Sequence, residues 1–211
     1  QALALAGTND FVSLPYRMPA SGSIALWYYA PGLWYNYNSV FDNSGDANDY
    51  ECWIDKDGGL YFRPTRSTPA AGYNLGGNSN RWYHIVGTWD ALSSNVVLYV
   101  NGVERGRTAI TNGSAWPVAG TNVFIGGGNA GNSSGTGIAS DFQIFETPLS
   151  SNRVAQLYSE FGSRGGLVAY VPFDGTAVDV ANSNAVVVGG APTYVKTQGG
   201  FLKGLSCRGG S

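Results

Sequence analysis

The groups that could do chemistry in this chain are few and dispersed. Among 211 residues there are 14 Asp and Glu, 12 Lys and Arg and a single His. His84 sits inside the run Trp82-Tyr-His-Ile-Val-Gly-Thr-Trp89, which marks it as a packed or hydrogen-bonded strand residue. A Ser-His-Asp set would need partners within reach of that imidazole and an oxyanion hole. Cleavage of a glycosidic bond would need two carboxylates on one concave face. The four glutamates, Glu51, Glu104, Glu146 and Glu160, are scattered instead, and the chain reads as no enzyme.

Binding suits the residue types better. Trp27-Tyr-Tyr-Ala-Pro-Gly-Leu-Trp34-Tyr35-Asn-Tyr37 is the densest aromatic run. Trp34, Tyr35 and Tyr37 follow Pro31-Gly32 and so belong to a loop, where flat rings stack on sugars or anchor a protein partner. Folding over an open end of the core is the other reading of these rings. Asp42-Asn-Ser-Gly-Asp46-Ala-Asn48-Asp49 gathers oxygen donors on a flexible backbone, as a calcium or glycan loop does and as a solvated loop also does. Cys52 and Cys207 allow one disulfide, which an oxidising compartment would favour; two separate thiols are the alternative. Asn112-Gly-Ser114 and Asn132-Ser-Ser134 fit the N-glycosylation acceptor pattern.

Composition points to the extracellular space or the cell surface. Charged residues make up 12%, about half the usual share, and there are 31 glycines, so Asn, Ser, Thr and Gly must supply the polar surface. A net charge of −2 provides no basic field for nucleic acid. No apolar run approaches the ~18 residues of a membrane-spanning helix, so no membrane insertion is expected. Gln1 fits a mature terminus exposed by processing.

The elements that must position these groups are short strands. β-type runs recur about every ten residues between Gly, Pro, Asn and Asp clusters, the pattern of an all-β antiparallel sandwich. They cover 11–14, 23–29, 39–42, 50–55, 59–63, 82–90, 95–100, 103–109, 122–126 and 140–145. The unbroken apolar stretch Val96–Val100 suggests a central strand covered on both faces. Asp55-Lys-Asp57-Gly-Gly59 and Asn101-Gly102 are tight hairpin turns, the first lacking the further ligands of a calcium loop. One short helix is expected near 150–161, with Ser150 as its cap and Val154, Leu157, Tyr158 and Phe161 on one face.

Trp82-Tyr-His-Ile-Val-Gly-Thr-Trp-Asp90 followed by Leu98-Tyr-Val-Asn-Gly-Val103 resembles the central hairpin of the laminin-G/concanavalin-A-like jelly-roll family. Gly7-Thr-Asn-Asp-Phe-Val12, Ser23-Ile-Ala-Leu-Trp27, Ile125-Gly-Gly127, Asp141-Phe-Gln-Ile-Phe145 and Pro148-Leu-Ser150 extend the resemblance in the family's order. It implies two packed antiparallel sheets of about six or seven strands each, with Trp27 buried in the core. It also implies a rim calcium site at Asn9, Asp10 and Asp141, with Ser140 standing where the family commonly has a second acid. Family relatives that hydrolyse glucans carry several alternating acids on one strand, and no strand here does.

The ends of the chain depart from that order. Leu167–Gly175, Ala185–Val188, Pro192–Val195 and Lys203–Ser206 are similar to the strands that open a family domain, yet they follow the helix. The expected organisation is a sandwich body at 1–161, a connector at 162–165 and displaced strands at 166–211. Ala2-Leu-Ala-Leu-Ala-Gly7 and Gly204-Leu-Ser-Cys-Arg-Gly209 look like two copies of one strand. The tail either completes its own sandwich as a circular permutation, or completes that of a neighbour, or marks a cut through a tandem array. Leu167, Ala169, Tyr170, Phe173, Tyr194 and Leu205 would carry an assembly contact with another copy. The sequence therefore reads as a non-catalytic extracellular structural or adhesive module joined to copies of itself by strand exchange. The alternative is a lectin-like module that binds a glycan at its rim, with calcium.

Overall fold

The alternation of inward apolar and outward polar residues is realised as a two-sheet sandwich. A computed structural model describes residues 2–7, 10–31, 37–43, 52–64, 69–76, 79–110, 122–126, 135–159, 167–171, 187–189, 192–196 and 203–207, the last four segments through their backbone. The strands are β1 (Leu3–Gly7), β2 (Phe11–Leu14), β3 (Ser21–Ala30), β4 (Tyr37–Asp42), β5 (Cys52–Asp55), β6 (Gly59–Phe62), β7 (Ala71–Asn74) and β8 (Arg81–Asp90). They continue with β9 (Asn95–Val100), β10 (Val103–Ala109), β11 (Val123–Gly126), β12 (Gly135–Phe145), β13 (Leu167–Val171), β14 (Val187–Gly189), β15 (Pro192–Lys196) and β16 (Lys203–Cys207). Helix α1 (Ser151–Ser159) lies between β12 and β13 in the chain.

One sheet has the order β10-β9-β8-β3-β12-β1-β16-β15, with β13 also beside β12; the other runs β14-β2-β11-β4-β5-β6-β7. Among the described residues these are nine and seven strands, so the second sheet has the number the resemblance implied and the first has more. Leu26, Tyr28, Val40, Ile54, Leu60, Phe62, Ile85, Leu98, Val123, Phe142 and Ile144 meet in the core between the sheets. A side chain of that size stabilises by roughly 1.5–3 kcal/mol when taken out of water, so this layer holds the sheets face to face. Stretch Val96–Val100 is buried throughout because Val96, Leu98 and Val100 face the core while Val97 and Tyr99 lie under Val154 and Leu157 of α1. It lies one strand in from an edge rather than at the centre. Ser150 caps the helix, its Oγ accepting from Arg153 N at 3.3 Å.

The turns form as their residues require. Asp55 Oδ1 accepts from Asp57 N at 2.9 Å and Gly59 N at 2.8 Å, closing the β5–β6 hairpin. Asn101 and Gly102 both take positive φ, 53° and 77°, as a two-residue hairpin demands.

The tail strands pair within this chain: β13 with β12, β14 with β2, β15 with β16, and β16 with β1. Leu167, Ala169 and Tyr170 stand opposite Phe145, Ile144 and Gln143, and Tyr194 stands opposite Leu205. β12 takes β1 beside Gly135–Ala139 and β13 beside Phe142–Phe145, with a bulge between. Edge strands are blunted against chance pairing: β10 carries Glu104, Arg105, Arg107 and a bulge, β14 has three residues, and β15 begins with Pro192 and ends with Lys196.

Candidate functional site

Of the rim residues expected to share an ion, Asp10 and Asp141 fall within the described residues. Asp10 is buried just before β2, close to Leu5, since a Cβ on Gly126 would lie 2.8 Å from Asp10 O and 2.7 Å from Leu5 Cδ2. Asp141 is buried in the β12 bulge at φ 50°, where its Oδ2 accepts from Ser140 Oγ at 3.1 Å. Asn9 lies outside the described residues. Among the described residues no group of three or more His, Cys, Asp or Glu could hold a metal ion. Asp42 ends β4 as a buried residue rather than opening a solvated loop; Asp46, Asn48 and Asp49 fall outside the description.

The aromatic loop is described only where it ends. Trp34 and Tyr35 lie outside the described residues, and Tyr37 begins β4 with its backbone opposite Asp55. Beside it, on the outer face of the seven-stranded sheet, the structure assembles a platform. Trp53 on β5 and Tyr61 on β6 are register partners, and their rings stack with centroids 5.2 Å apart at 19°. Tyr61 has room to lie against the sheet because its neighbours are glycines. A Cβ on Gly59 or Gly72 would come within 2.6 Å or 2.9 Å of the Tyr61 ring. The Arg63 guanidinium stands 5.0 Å from the Trp53 ring centroid. Burial and the nearby Asp55 carboxylate raise the pKa of the Tyr61 hydroxyl, which keeps it a donor. Two near-parallel half-buried rings, flanked by a cation and a carboxylate, make an amphipathic surface that can take up a partly apolar, partly polar ligand.

This platform was open to sequence reasoning. The hairpin turn at Asp55–Gly59 sets Trp53 opposite Tyr61, and both fall between inward residues, Cys52, Ile54, Leu60 and Phe62.

A second aromatic cluster lies on the outer face of the nine-stranded sheet. Trp27 is half-buried there, not in the core, because alternation sends its neighbours Leu26 and Tyr28 inward. Its ring packs against His84 at 5.2 Å and stacks on Tyr158 of α1 at 5.6 Å and 25°. Tyr29 and Trp82 continue the face, edge to face at 5.8 Å. His84 is 3% exposed, and burial lowers its pKa to about 4, so it is neutral and suited to packing. That agrees with its reading as a packed strand residue. Gly131-Asn-Ser-Ser-Gly135 does fit a Gly-x-Ser-x-Gly spelling, but Gly135 opens a strand, whereas a nucleophile elbow leads from a strand into a helix.

Cys52 is buried on β5 of the seven-stranded sheet, and Cys207 ends β16 of the other. The Cys207 side chain, and with it the expected bridge, lies outside the described residues. So do Phe173 and both sequon asparagines, Asn112 and Asn132.

Structural comparison agrees with this architecture. The native heptameric SAP-like pentraxin from Limulus polyphemus superposes with a TM-score of 0.60 at 17% identity, over 89% of this chain and 94% of that one. A candidate carbohydrate binding protein from Bacteroides ovatus gives 0.61 at 17% identity, over 89% of this chain and 60% of that one. Botulinum neurotoxin type C, described as entering cells through interaction with two ganglioside molecules, gives 0.52 at 14%, over 70% of this chain and 37% of the toxin chain. No curated protein sequence matches the chain. The matched stretch of the family below stops at residue 155, short of β13–β16. Residues 6–155 match it throughout the body of the sandwich, and the chain belongs to the concanavalin A-like lectin/glucanases superfamily.

Proposed function

We propose that this chain is a non-catalytic, lectin-like module working outside the cell or on its surface, and that it holds a glycan on the Trp53–Tyr61 platform. The observation that carries the reading is the stacked pair itself, with Arg63 and Asp55 at its margin. Aromatic faces take up the apolar faces of sugar rings, and the flanking polar groups select among hydroxyls. The descriptions of the Bacteroides ovatus protein and of the neurotoxin, one naming carbohydrate and the other ganglioside, support the same class of ligand. The test is a glycan array followed by calorimetry with the best oligosaccharide. Trp53→Ala and Tyr61→Ala should each lower affinity at least tenfold while leaving the melting temperature within a few degrees. Unchanged affinity in both would sink the proposal. Loss of binding on adding a chelator would instead favour the rim calcium site at Asn9, Asp10 and Asp141.

A second reading, a structural or adhesive subunit joined to other copies by strand exchange, is favoured by one observation. The two similarly patterned segments run side by side in parallel, Leu3 opposite Leu205. Light scattering across a concentration range tests it, and a monomer at every concentration would count against it.

A further inference from the structure

The pairing of β1 and β16 is informative beyond their likeness. β1 runs antiparallel to β12, with Leu3, Ala4, Leu5, Ala6 and Gly7 opposite Ala139, Ile138, Gly137, Thr136 and Gly135. β16 lies on the far side of β1, parallel to it, and the register sets Leu205 beside Leu3. That register is also the alignment of the repeat, Leu-Ala-Leu-Ala-Gly7 against Leu-Ser-Cys-Arg-Gly209. A strand parallel to β1 has the polarity that β12 requires. Moving it sideways by one strand spacing, about 4.8 Å, would therefore set Leu205 opposite Ala139 without reversal or slip.

The seats in that slot suit the second segment. Leu3 and Leu5 fill core positions at 1% and 4% exposure, while Ala4 between them is only partly buried. In the same seats Leu205 and Cys207 would be the core residues, a leucine for a leucine and a smaller apolar thiol for a leucine. Ser206 would take the outward position of Ala4, so the alternation of the segment fits the slot. Cys207 would fill the Leu5 seat less completely, which accounts for β1 being the occupant seen.

We propose that β1 and β16 are alternative occupants of one slot beside β12, and that β1, when replaced, enters the same slot of a second copy of this chain whose own β1 has left it. The proposal rests on the assembly reading above and names a different donor from the tail strands β13 and β14, each of which pairs with the body of its own sandwich. Exchange of identical strands forms the same contacts between copies as within one, which makes it a low-cost route to association.

The test is a double-mutant cycle on the full chain with Leu3→Asp, Leu205→Asp and the double variant, read by thermal melts and light scattering. If β16 can replace β1, Leu3→Asp keeps a cooperative melt, and the double variant loses more than the two single losses added together. If the two strands matter only through their mutual contact, the double loses less than that sum, because one contact is removed twice. That sign, or simple additivity, overturns replacement. The same cycle with alanine gives the sign should the aspartates prevent folding. In light scattering the unaltered chain should associate with rising concentration and Leu3→Asp should remain monomeric. Association undiminished in Leu3→Asp refutes β1 as donor while leaving assembly standing. A wild-type monomer throughout refutes assembly, whatever the sign of the cycle.

Discussion

Replacing His84 with phenylalanine should flatten the acid sensitivity of the fold. Burial lowers the imidazole pKa from 6.5 to about 4 in the folded chain, where Trp27 and Tyr158 pack on it. The unfolded chain therefore binds a proton below pH 6.5 that the folded chain refuses until about pH 4. Stability from this residue is complete above pH 6.5 and is lost as pH falls toward 4. With those two values, lowering pH from 7 to 4.5 costs about 2 kcal/mol. For a chain of this size that is roughly 4–8 °C of melting temperature. The phenylalanine keeps a ring between Trp27 and Tyr158, and the bond from the residue-84 backbone N–H to Asn101 Oδ1 at 2.9 Å does not involve the side chain. Melts of both proteins at pH 7 and 4.5 should show a larger fall in the wild type by that amount. Equal falls would refute the claim that neutral His84 is what the packed cluster requires.

Two further substitutions probe how the sheets are held. Asn38 links them: its Nδ2 donates to Tyr28 Oη and to Thr136 O, both at 3.0 Å, and its Oδ1 accepts from Thr136 N at 2.6 Å. Asn38→Leu removes the partner of that buried amide and should cost about 2–4 kcal/mol, seen as a lower denaturant midpoint with an unchanged slope. Gly106→Ala brings a Cβ within 2.5 Å of Gly72 O, a backbone atom that cannot turn aside, and should cost about 1–3 kcal/mol by forcing β10 from β7. Hydrogen exchange should then quicken in β7 and β10 before it does in β3 and β8.

Where the sequence alternates, its elements were readable; where small residues dilute the alternation, they were not. β3, β8, β9 and β10 follow from their residues, and the turns at Asp55–Gly59 and Asn101-Gly102 fix their hairpins. β7 is Ala-Gly-Tyr-Asn, with too little side chain to signal a strand, and it forms because β6 offers an edge on one side and β10 closes against it on the other. The start of β12, Gly-Thr-Gly-Ile-Ala, escaped for the same reason, yet it supplies the whole register for β1. Trp27 went astray in the opposite direction. Its family position suggested burial, but Ile24, Leu26 and Tyr28 already take the inward seats of β3, which leaves Trp27 facing out.

The candidate platform shows why crowding along a chain is a poor guide to crowding on a surface. The run Trp27–Tyr37 is dense in sequence, but alternation divides it. Tyr28 goes into the core, while Trp27 and Tyr29 go to the outer face of one sheet. Trp53 and Tyr61, eight residues apart, are brought into contact by a hairpin and given space by two glycines. Arg63 follows on the same face because it is two residues beyond Tyr61, the period of a strand. The backbone of Tyr37 lies nearby, since β4 pairs its first residue with Asp55. Strand register thus builds the platform from residues that are apart in sequence, a relation that counting rings along the chain does not reveal but pairing the hairpins does.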